Sequence, residues 1–78
     1  MNKMKGEKMD KTSRAKLRGR IIEKFGTIQN FANHTSRGHQ FVGNVLNDRA
    51  VMNQRDMEEW IDRLEIEPEE IYPYFFAH

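Results

Sequence analysis

The chain has no cysteine, only two prolines in 78 residues, and no apolar run longer than a few positions. Without cysteine there is no disulfide framework and no thiolate metal site, which suits a reducing cytoplasm. Without a long apolar run no membrane span is expected. The charged N-terminus is not followed by an apolar segment, so no secretory signal is expected either. Also missing are a Gly-rich phosphate loop, a cysteine nucleophile and an ordered Ser/His/Asp set. Glu58 and Glu59 fall on the polar face of a predicted helix, where solvated carboxylates are expected, so the expected role is not enzymatic. His34, His39 and His78 are the only imidazoles. A spacing of five across a turn does not put the first two on one helix face, so no metal or other cofactor is expected.

What is present is polar and charged, with a mean hydropathy of −0.88. At 78 residues the chain makes one domain, near the lower limit for a self-sufficient core. Its net charge of +1 conceals an asymmetry. Residues 1–24 carry nine Lys/Arg against three acids, a net +6, while residues 48–78 carry three Arg against nine acids, a net −6. Between them, residues 25–47 hold a single charge, Arg37. A basic first third suits a polyanion such as DNA, and an acidic last third suits a basic protein equally well. Both also fit plain solvated surface.

Hydrophobic spacing predicts an all-α bundle of about five short helices, with residues 1–11 as a flexible basic tail and 12–78 as the folded domain. Thr12 or Ser13 caps a first helix whose inner face is Leu17, Ile21, Ile22 and Phe25, ended by Gly26. Thr27 caps a second helix that buries Phe31 and Ala32 beside Ile28. A turn from His34 to Gly38 follows, with Ser36 as a candidate cap for a third helix with the inner stripe Val42, Val45 and Leu46. Asn53 and Asp56 form a short capping box for a fourth helix carrying Met57, Trp60, Ile61 and Leu64. Pro68 then opens a fifth, with acids near its positive end. Tyr72, Tyr74, Phe75 and Phe76 are more aromatic surface than one short helix can bury, so some are expected to cover the first helix and others to face outward.

Phe25-Gly26-Thr27, Phe31-Ala32, Val42 ten positions after Ala32, and the tail Ile66-Glu67-Pro68-Glu69-Glu70-Ile71 together resemble the lambda repressor/Cro-type helix-turn-helix family over roughly residues 14–76. The resemblance implies a helix-turn-helix motif in which Ala32 is the small residue where the two motif helices cross and Val42 anchors the second. The tail motif further resembles small regulators of temperate phages of Gram-positive bacteria, the antirepressors among them. It implies a role in the lytic/lysogenic switch of a bacterial host's cytoplasm, with a phage repressor as partner and DNA contacted alone or within that complex. Two departures stand out: Thr35-Ser36-Arg37 occupies the turn where the family has Leu-Gly-apolar, and Ile28 replaces a helix-opening Gln, with Gln29 next to it.

Carried onto this chain, the family's base-reading positions fall on His39, Gln40, Asn44 and Asn47, with Gly38 and Gly43 among them. Gln40 and Asn44 are each able to make a bidentate contact to adenine. Thr27, Gln29, Asn30 and Arg37 are the candidates for holding phosphates. Yet no Lys or Arg follows Arg37 in this helix, and glycines occupy two of the base-facing positions. Arg37, Gly38, Gln40, Phe41, Gly43, Asn44 and Val45 therefore form a second candidate set, for docking a protein partner. Three readings stay open: an antirepressor that covers its partner's DNA-reading surface, an autonomous Cro-like repressor dimerising on a palindromic operator, and an antitoxin-like binding module.

Overall fold

The structure, a computed structural model, describes residues 11–76. It is all-α: α1 (Lys11–Phe25), α2 (Ile28–Ala32), α3 (His39–Leu46), α4 (Gln54–Leu64) and α5 (Ile71–Phe75), the last preceded by a 3₁₀ turn at Pro68–Glu70. No strand occurs among the described residues. The expected tail at residues 1–10 lies outside them, and Lys11, assigned to that tail, is already helical.

α1 is the hub, packing against each of the other four helices. Its buried stripe is Ser13, Leu17 and Ile21, spaced i, i+4, i+8. Phe25 continues it half-buried. Ile22, expected on this face, is 45% exposed. One step of about 100° around the helix carries it off the stripe that Ile21 occupies. Ser13 is likewise not a cap. It lies inside α1, fully buried, and its hydroxyl donates to the Pro73 carbonyl of α5 at 3.0 Å.

The second and fourth helices start as their residues dictate. Thr27 is extended at φ −141°, ψ 158°, and its Oγ1 accepts from the Asn30 N–H at 3.0 Å. Asn53 and Asp56 exchange the reciprocal bonds of a capping box, at 2.8 and 3.2 Å. The third helix starts differently. Its cap is Gly38, at φ 91°, a backbone region that side chains rarely enter. Ser36, the expected cap, is two residues away and bonded elsewhere. Thr35 closes the turn instead: its hydroxyl donates to the Ala32 carbonyl at 2.9 Å and accepts from the Gly38 N–H at 3.3 Å.

Phe31, Ala32, Val42, Val45, Leu46, Trp60, Leu64, Ile66 and Phe75 complete the core, with Phe31 and Trp60 in an edge-to-face contact at 5.0 Å. Each of the larger side chains contributes about 1.5–3 kcal/mol on burial. Together they outweigh the roughly 1–3 kcal/mol cost of leaving Trp60 Nε1 buried with no acceptor among the described residues. Of the closing aromatics, Phe75 enters the core, Tyr74 lies half-buried with Lys16 Nζ over its ring at 5.2 Å, and Tyr72 stays 60% exposed.

Candidate functional site

The turn between α2 and α3 is bound to α4 by two carboxylates. Glu59 accepts from the Ser36 N–H at 2.9 Å and from its hydroxyl at 3.0 Å. Asp56 receives Nη1 of Arg37 on both oxygens, at 3.2 and 3.1 Å, while also holding the Asn53 N–H. The Arg37 guanidinium lies over the Phe41 ring, 4.0 Å from its centroid. Glu59 is thus half-buried and engaged rather than solvated. The unusual Thr35-Ser36-Arg37 sequence has a local purpose: each of its three side chains anchors the turn.

This arrangement sorts the candidate residues. Arg37 is tied to α4 and to Phe41, so it is not an unengaged phosphate or partner contact. Phe41 is half-buried beneath it and packs against the core. Val45 is 1% exposed and belongs to the core, so it is removed from the partner-docking set; it continues the Val42 stripe one turn on. Thr27 is occupied as a cap, and the Asn30 side-chain amide donates to the Phe25 carbonyl at 2.9 Å while the Asn30 backbone carbonyl faces His34 Nδ1 at 2.9 Å. These two residues close the α1–α2 junction.

Left facing outward are Gln29, His39, Gln40 and Asn47, all exposed, and the half-exposed Asn44 and Gly43. Among the described residues none of the five side chains makes a hydrogen bond within the fold. A Cβ added at Gly43 meets nothing within 4 Å. The outer face of α3 is therefore uncharged, amide-rich and low in relief.

Among the described residues, three cations of the basic first third, Arg14, Arg20 and Lys24, are engaged within the fold. Arg20 donates through Nε to the Leu64 carbonyl at 2.9 Å and through Nη2 to the Glu65 carbonyl at 3.1 Å. It thereby fills the unpaired C-terminal end of α4 and complements its dipole. Lys24 bonds the Glu65 carboxylate, whose pKa it lowers by that hydrogen bond and its charge. Arg14 pairs with Asp48 at 3.5 Å. The opposite charges at the two ends of the sequence are in part complementary surfaces of one fold. Periodicity carries no trace of these links, because they join residues 34–45 positions apart.

Residues 13–78 match the protein family described as a protein of unknown function, DUF739. The chain belongs to the DUF739 family. The match begins within α1 and takes in every other helix, so the turn-to-α4 anchors lie inside the DUF739 region. Neither curated proteins nor solved structures gave a match. Among the described residues of this DUF739 chain there is no cluster of His, Asp and Glu fit to hold a metal. No helix there is long and apolar enough to cross a membrane.

Proposed function

We propose that the chain is a helix-turn-helix regulator of a phage lytic/lysogenic switch, with α2 and α3 as the motif, acting chiefly as an antirepressor. In this reading α3 and its flanking turn dock on a partner repressor and cover its DNA-reading surface, so the repressor cannot hold its operator. The resemblance of residues 25–47 and 66–71 supports the family of regulators. One observation carries the choice of mechanism: the only charged residue between Phe25 and Asn47 is bound by Asp56 and Phe41, leaving α3 with an outward face of Gln40, Gly43 and Asn44. Such a face lacks the phosphate contacts on which DNA affinity chiefly rests. It has the low relief that lets another backbone approach. Any DNA contact within the complex falls to cations such as Lys11 and Arg18, exposed on α1.

The test is capture of a phage helix-turn-helix repressor on the immobilised chain. Gly43→Arg has room in the free protein and should abolish capture while the helical circular dichroism spectrum is kept. Undiminished capture would remove α3 as the docking helix. A mobility shift with the chain alone, at about 150 mM salt where non-specific contacts fade, should show no sequence-specific complex. A specific complex would favour an autonomous repressor.

A further inference from the structure

Arg37 stands at the mouth of α3 and its side chain is 45% exposed, within reach of a ligand. Asp56, which holds it, is 5% exposed. The carboxylate is fixed by the Asn53 N–H and by its place in the first turn of α4, where the helix dipole favours an anion. Phosphate and carboxylate compete for the same guanidinium donors. A phosphate that drew Arg37 away would leave Asp56 buried with its charge unpaired, which is costly.

Resting on the reading of α3 as a protein-docking helix, we propose that Asp56 is a specificity-determining residue: by holding Arg37 against α4 and Phe41, it withholds the turn's one cation from the phosphates of duplex DNA. The acid on α4 decides what α3 can bind, although it lies outside the helix that makes the contact. Asp56→Asn preserves volume, and its amide oxygen is still able to accept the Asn53 N–H, so the capping box survives while the charge is lost.

The experiment titrates the full chain against a labelled random-sequence duplex over a salt series. Four variants are compared with the parent: Asp56→Asn, Arg37→Gln, both together, and Glu58→Gln, which removes the same charge from an exposed position of α4. Asp56→Asn should bind more tightly than the parent, with a log–log salt slope steeper by about 0.9, one added phosphate contact. The double variant should lose that gain, and Glu58→Gln should leave the slope unchanged. Arg37→Gln alone should match the parent. The proposal is overturned by an unchanged slope in folded Asp56→Asn, by equal gains in Asp56→Asn and Glu58→Gln, or by a gain that survives in the double variant. A flatter slope in Arg37→Gln alone also overturns it, since Arg37 would then already hold phosphate. If Asp56→Asn fails to fold, that last comparison decides by itself. Repressor capture is a separate readout, so its failure with Gly43→Arg is distinguishable from failure here.

Discussion

The Glu59 carboxylate takes both the backbone N–H and the hydroxyl of Ser36, at 2.9 and 3.0 Å, across 23 positions of sequence. Both contacts are charge-assisted, and they fix the turn that delivers α3 rather than α3 itself. Glu59→Ala should destabilise the fold by about 1 kcal/mol, a charged hydrogen bond discounted for solvent access. Glu58→Ala one position away should stay within about 0.5 kcal/mol. Urea denaturation distinguishes the two, and equal losses would count against the anchor.

Gly38 and Gly43 should respond in opposite directions to the same substitution. Gly38 holds φ 91°, so Gly38→Ala strains the backbone by about 1–2 kcal/mol although space for the methyl is open. Gly43 lies within α3 with equally open space, so Gly43→Ala should stabilise by about 1 kcal/mol. Thermal midpoints of the two variants should move apart, the first down and the second up.

Arg20 closes the C-terminal end of α4 with two donors on two carbonyls. Arg20→Lys keeps the charge but loses the planar fork, so it should recover only part of the roughly 1–2 kcal/mol lost in Arg20→Ala. Amide exchange at the C-terminal end of α4 should quicken in both variants. Full recovery by lysine would mean that the charge alone acts there.

Ser13 tethers α5 to α1 from within the core. Ser13→Ala removes the hydroxyl donor without adding bulk and leaves the Pro73 carbonyl without it, a loss of about 1–3 kcal/mol. Amide exchange in α5, where Tyr74 packs beside Lys16 of α1, should quicken ahead of global unfolding.

Lys24 holds the Glu65 pKa below its ordinary value of 4.5, first by a hydrogen bond and then by its charge. A folded-state pKa lowered in this way contributes stability that is present above the ordinary value and is lost as pH falls through the lowered one. Lys24→Met should therefore raise the Glu65 midpoint in an NMR titration and remove that part of the acid dependence. An unmoved midpoint would show that the pair does not persist in solution.

Much of the fold was legible locally. The stripe Leu17–Ile21 and the stripe Val42–Val45–Leu46 follow from helical spacing, and the Thr27 cap and the Asn53–Asp56 box each act within four residues. Ile22 and Ser13 were misplaced because spacing assigns a face, while only packing shows how wide that face is and what reaches across it. Val45 was offered both as core and as surface, and its burial against the other helices decides the matter. For the candidate site, the position of α3 and its uncharged outer residues could be read from sequence. The partners of Ser36 and Arg37 could not.

By itself, then, the sequence determined roughly where the helices lie, the centre of each inward stripe, and that α3 is short of cations, since these depend on local spacing and residue type. Only the tertiary structure decided that Asp56 and Glu59 hold the turn and that Arg37 is withdrawn from the open face. A guanidinium in a turn is free to pair with any anion within reach. Which anion stands there depends on how α4 packs, 19 positions further along the chain.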